Sequence, residues 1–253
     1  MKYPIGIQSF EKIINEGYLY IDKTKMIYDL IHDGNIYFLS RPRRFGKSLL
    51  VSTLECYFQG KKDLFKGLAI DELETEWKEY PVFRIDFNGK NFTEGSELLK
   101  TLIGFVEMQE AVYGKDPFHD TLGDRFCYVL KSAHEKTGQR AVVLIDEYDK
   151  PLLDVLDTGL ETVVDGQKRK IEDWNREVLK GFYSVFKAAD EHLQFVLLTG
   201  VTKFSQVSVF SGFNQPDDIS LSARYDTLLG VTEEELHTVF KEQIKEMALE
   251  YEI

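Results

Sequence analysis

Two short stretches of the chain, about 100 residues apart, hold the side chains best suited to chemistry. Gly46-Lys47-Ser48 brings together a residue with an accessible backbone, a long cationic arm and a hydroxyl, and Asp146-Glu147 sets two carboxylates side by side. A glycine ahead of a helix lets backbone amides face phosphate oxygens, a lysine reaches the terminal phosphates, and a serine hydroxyl can hold magnesium. An aspartate at a strand end holds Mg²⁺ directly or through water, and a neighbouring glutamate polarises the attacking water. The combination predicts a nucleoside triphosphate held with its metal, Ser48 and Asp146 being the metal ligands and Glu147 the base.

The elements that must position these residues are legible nearby. Ile36 to Leu39 is an apolar run short enough for a buried strand, and Leu50, Leu54 and Phe58 then recur at helical spacing until Gly60. That helix would aim its amino-terminal dipole at the phosphates. Ala141 to Tyr148 (AVVLIDEY) runs apolar and then acidic, as a central parallel strand does where its carboxyl end opens onto a site. A further apolar strand, Gln194 to Leu198, ends in Thr199-Gly200, and Thr199 is placed to sense the terminal phosphate. The phosphate loop departs from the usual pattern, which has a second glycine where Arg41 stands before Pro42. Proline biases Arg41 toward extended backbone. Arg41, Arg43 and Arg44 add positive charge beside the phosphates. Arg41, Arg43 and Arg44 are each able to neutralise developing charge, Arg44 standing in the catalytic set, and Arg224 in the later loop is a weaker candidate.

Elsewhere the pattern is that of an α/β globule. Met26, Ile27, Leu30 and Ile31 mark a helix begun at Asp22 and stopped at Gly34, a wall for the adenine and ribose pocket. Pro81 to Phe87 reads as a strand; helices follow at Leu99–Val106 and Leu122–Ala133, and a long one spans Trp174 to Ala189. Gly17–Asp22 reads as a strand or turn, Asp157–Gln167 as a mobile polar loop, and Tyr225–Leu229 as a last strand. Thr232 and Glu235 form a capping box for a helix bearing Leu236, Val239, Phe240, Ile244 and Met247, which continues to Ile253. The expected fold is a P-loop NTPase with a central, mainly parallel five-stranded sheet, helices on both faces and the strand order open.

The net charge of −12 over 253 residues argues against a broad nucleic-acid surface. Cys56 and Cys127 make no metal or redox spacing and read as buried thiols. No apolar run is long enough to cross a bilayer, and the expected location is the cytoplasm.

Six blocks recur in order over nearly the whole chain: PIGIQSFEKI, LYIDKT, RPRRFGKS, LIDEYDKPL, LLTGVTKFSQVSVFSGFN and TLLGVTEEEL. With them the sequence resembles the predicted AAA-ATPase-like family of bacterial proteins, whose members often carry a PD-(D/E)XK nuclease-like domain after the ATPase part. The resemblance makes Arg41 a family feature of the loop. It implies ATP bound at Gly46, Lys47 and Ser48 and an acidic strand end at Asp146 and Glu147; with the reading of the loop itself this extends to ATP or ADP across Arg41, Arg43, Arg44, Phe45, Gly46, Lys47, Ser48 and Leu49, with Mg²⁺ at Ser48 and Asp146. Lys47, Glu147, Thr199 and Arg44 are then the catalytic set. Residues 1–34 would flank the pocket, 35–230 form the core and 231–253 begin a truncated helical lid, the nuclease-like region being absent. Partners would be a homo-oligomer or that missing domain. Three functions fit these motifs: an ATPase, a nucleotide-gated switch with negligible turnover, and a P-loop kinase, which an adjacent Asp-Glu pair suits less well.

Overall fold

The computed structural model describes residues 2–203 and 216–250. Five parallel strands make the central sheet: β1 (Ile36–Ser40), β2 (Val82–Asp86), β3 (Ala141–Asp146), β6 (Leu193–Gly200) and β7 (Asp217–Asp218), in the order β2-β3-β6-β1-β7. All six residues of β3 are buried, as its apolar run requires of a strand with neighbours on both edges and helices on both faces.

Alternation along the strands assigns the two cores. Phe38, Val143, Ile145, Val196 and Leu198 face α5 (Glu97–Tyr113), α6 (Leu122–Thr137), α7 (Lys150–Leu153), α8 (Ile171–Tyr183) and α9 (Val185–Ala188). Tyr37, Leu39, Val142, Leu144, Phe195 and Leu197 face α1 (Phe10–Asn15), α2 (Thr24–Asp33), α3 (Lys47–Phe58) and α4 (Ala69–Leu73). The fold is therefore α/β with a five-stranded parallel sheet covered on both sides, as the sequence predicts.

Three local expectations need correction. The fifth strand is Asp217–Asp218, paired to Tyr37 and Phe38 on β1, and Tyr225–Leu229 is a succession of turns. The polar stretch after Asp157 folds into an antiparallel hairpin, β4 (Glu161–Val164) and β5 (Gln167–Lys170), because Asp165 and Gly166 both take positive φ in a two-residue turn. The helix expected over 174–189 is divided at Ser184 into α8 and α9. Of the strand or turn expected at Gly17–Asp22, the turn is present at Gly17 and no strand forms.

The expected capping box is present: Thr232 accepts from the Glu235 amide and Glu235 from the Thr232 amide at the head of α10 (Glu233–Val239), which α11 (Lys241–Glu250) follows. The block LYIDKT also acquires a structural reason. Asp22 accepts from the amide and hydroxyl of Thr24 and from the Ala69 amide, and Thr24 accepts from the Ile70 amide, so α2 and α4 start from one knot. The residues beyond Glu250, where helix was expected to continue, lie outside the described residues.

Candidate functional site

The register of the parallel strands brings Asp86, Asp146, Thr199 and Ser40 to the carboxyl end of the sheet: Asp86 pairs with Asp146, Ile145 with Leu198, and Ser40 with Gly200. The loop that leaves β1 is tied to that edge by the Arg41 amide, which donates to the Gly200 carbonyl at 3.1 Å. It then turns through Arg44 at φ 65° and Gly46 at φ 94° before Lys47 opens α3. Positive φ at two places in so short a span curls the chain back on itself. Gly46 serves the turn that the sequence assigned to it.

Lys47 lies beneath this curl and is only 5% exposed. Its ammonium donates to the carbonyls of Arg41 at 2.9 Å and Pro42 at 3.1 Å. Desolvation pulls its pKa below the usual lysine value, while the charges of Glu147, Asp146 and Asp149 oppose that shift. Lys47 and the acidic strand end thus share one electrostatic environment. Ser48 and Leu49 follow on α3, both half-buried, and Arg43, Arg44 and Phe45 are exposed on the outer rim of the loop.

Across β6, Asp146 is wholly buried. Its Oδ1 accepts the Thr199 hydroxyl at 2.6 Å, and its Oδ2 has no hydrogen-bond partner among the described residues. Glu147 stands beside it in the left-handed region at φ 54°. Burial raises the Glu147 pKa, and the Asp146 charge adds to that, against the lowering effect of Lys47 and Arg43.

This donor set fits Mg²⁺. No group of three or more His, Cys, Asp or Glu side chains among the described residues is arranged to hold a metal. Magnesium with a nucleotide needs only one or two protein oxygens besides phosphate and water, and the unpartnered Oδ2 of Asp146 supplies one.

Beside the loop lies a cavity of about 510 Å³ lined mostly by apolar groups. Tyr3, Leu19, Ile21 and Lys23 form one wall, Phe45, Gly46, Leu49 and Leu50 the floor, and Leu228 to Val231 with Phe240 the other wall. Of the helix expected as a wall, with Met26, Ile27, Leu30 and Ile31, only Ile27 lines this cavity, and the rest of that side comes from residues ahead of the helix. On the other side Val231 and Phe240 belong to the stretch expected as a lid, whereas Leu228 and Leu229 belong to turns where a strand was expected. The walls are joined by an ion pair between Lys23 and Glu235 and by stacking of Tyr3 on Phe240 at 6.1 Å.

Two arginines are committed elsewhere. The Arg41 guanidinium donates to the carbonyls of Ser40 and Ser220, which ties the end of β1 to the turn after β7. Arg224 pairs with Asp33 beside the start of β1, the opposite end of that strand from the phosphate loop. Asp149 was missed altogether: it is 1% exposed and bonded to the end of β6, whereas an acid in a turn gives no sequence signal of burial.

A parallel sheet in this order, with a glycine-lysine-serine turn between its first strand and first covered helix, defines a P-loop NTPase-like α/β protein. The chain belongs to the AAA-ATPase-like family: the family model described as a predicted AAA-ATPase matches residues 4–210. It is 41% identical over 245 residues to an uncharacterized protein in the vnfD 5′ region of Azotobacter chroococcum mcd 1. That match takes in 96% of this chain and 45% of the relative, so the chain spans about half the relative's length. Among the described residues, no helix is long and apolar enough to cross a membrane.

Proposed function

We propose that this chain binds ATP with Mg²⁺ and hydrolyses it at the carboxyl end of the sheet. The observation that carries the reading is the convergence of a buried lysine, curled onto its own loop carbonyls, with a buried aspartate whose second oxygen has no partner. The carbonyls that hold Lys47 mark where its ammonium rests without nucleotide, and β- and γ-phosphate oxygens would replace them. Ser48 and Asp146 would hold Mg²⁺, whose charge neutralises the phosphates. Glu147 is the base: burial and the Asp146 charge push its pKa up and so strengthen it as a proton acceptor. Thr199 fixes Asp146 through its 2.6 Å bond, and from that strand end it would sense the terminal phosphate. The apolar cavity receives adenine and ribose. With Arg41 engaged at Ser220, Arg43 and Arg44 on the rim are the arginines that can approach the γ-phosphate.

Thermal unfolding with and without nucleotide tests binding. ATP at about 100 times its Kd stabilises a single site by about 2.7 kcal/mol, and Lys47→Ala abolishes that protection. Single-turnover hydrolysis then separates an ATPase from a switch that only holds nucleotide. A wild-type protein protected by ATP that releases no phosphate overturns the hydrolytic half of the reading.

A further inference from the structure

We infer that Asp149 is a positioning residue that locks the acidic turn after β3 to the end of β6, so that one carboxylate sets both Glu147 and Thr199; the inference rests on the ATPase reading above. Asp149 Oδ2 accepts three donors, the amides of Val201 at 3.0 Å and Thr202 at 2.7 Å and the Thr202 hydroxyl at 2.9 Å. The intervening residue is laced to the same segment. The Tyr148 amide donates to the Thr199 carbonyl at 2.9 Å, and its hydroxyl donates to the Thr202 carbonyl at 2.9 Å. The two strand ends are thereby sewn together from Thr199 to Thr202, immediately after the hydroxyl that meets Asp146.

The consequence falls on Glu147. A glutamate at φ 54° is held in a conformation that non-glycine residues avoid, and it persists only where the surroundings fix it. On its carboxyl side the fixing comes from Tyr148 and Asp149. Gly200 completes the fit, since a Cβ there would lie 2.8 Å from Asp149 Oδ1 and 2.5 Å from the Tyr148 ring. Nothing larger than glycine lets the turn close this tightly. Asp149 acts through Oδ2, which takes two amides and one hydroxyl, while its buried Oδ1 has no hydrogen-bond partner among the described residues; the positioning role requires an acceptor at Oδ2.

Three variants of the full chain test this. Asp149→Ala removes the acceptor: amide exchange at Val201 and Thr202 quickens more than about tenfold. Its kcat for ATP falls by about 10²-fold, the cost of a misplacement of about 1 Å, while KM stays within about threefold because the Arg41 amide still ties the phosphate loop to Gly200. Asp149→Asn can present its Oδ1 to the same donors, so it keeps the slow exchange and stays within about tenfold of wild-type kcat. Thr202→Val removes only the hydroxyl donor, and gives a smaller loss of the same kind should the alanine variant fail to fold. An asparagine variant as inactive as alanine, yet with slow exchange, overturns the positioning role in favour of a charge acting directly. Wild-type kcat in Asp149→Ala, in a protein that Glu147→Gln inactivates, overturns the inference alone. A wild-type chain that turns over no ATP fails at the reading beneath and takes the inference with it.

Discussion

Thr199 donates its hydroxyl to Asp146 Oδ1 at 2.6 Å across two adjacent strands, and both residues are wholly buried. The bond satisfies one carboxylate oxygen and leaves Oδ2 directed at nothing among the described residues. Thr199→Val keeps the shape and removes the donor. A buried carboxylate that loses its donor costs about 1–3 kcal/mol, so the ligand-free protein should melt several degrees lower. Mg²⁺ with ADP should recover part of the loss, since a cation at Asp146 compensates the charge that the hydroxyl had stabilised. Melting curves with Mg²⁺-ADP and with ADP in chelator give the comparison, and equal recovery in both would separate Asp146 from the metal.

Glu147→Gln should abolish hydrolysis and raise the melting temperature at neutral pH. The Glu147 pKa is raised in the fold, first by burial and then by Asp146. At a pH above both the folded and unfolded values, its charge therefore destabilises the native state, and below both it does not. The gain in the glutamine variant should shrink as pH falls toward the ordinary glutamate value of about 4.3. For the same reason, the acid limb of wild-type kcat/KM should lie above the pH of an unperturbed glutamate. A melting profile in which the variant's advantage grows on acidification would contradict the assigned sign.

The sheet and the turn into α3 were legible because both are local. The run AVVLID declares a buried strand, and GKS behind another apolar run declares a turn into a helix. What could not be read depends on contacts distant in sequence. Asp217–Asp218 is a strand only because β1 offers it an edge, and two acids carry no strand propensity. Arg41 and Arg224 looked alike as cations near phosphate, yet Ser220 claims one and Asp33 the other. Asp149 is buried by bonds to amides some fifty residues later.

Gly200→Ala should destabilise the protein although its backbone needs no positive φ. The added methyl meets the Tyr148 ring at 2.5 and 2.6 Å, and that ring is itself fully buried. Overpacking of this kind costs about 1–3 kcal/mol. Denaturant midpoints of wild type and variant measure it, and an unchanged midpoint would mean that the β6 end yields where the bonds to Asp149 say it is fixed.

The apolar cavity makes a separate prediction, because under the proposed function its walls would meet the base while the loop would meet the phosphates. Leu229 lines that cavity, and its Cδ2 lies 3.8 Å from where a Cβ on Gly46 would stand. Leu229→Ala withdraws apolar area from one side of the space and leaves Lys47, Ser48 and Asp146 as they are. Losing about 1–2 kcal/mol of apolar burial should weaken ADP binding by about five- to thirtyfold. Inorganic tripolyphosphate has no base to place there, so its affinity should change by less than about twofold. Titrating both ligands into both proteins by calorimetry reads the two halves of the site apart. Parallel losses for ADP and tripolyphosphate would mean that Leu229 supports the phosphate loop, and that the base binds somewhere else.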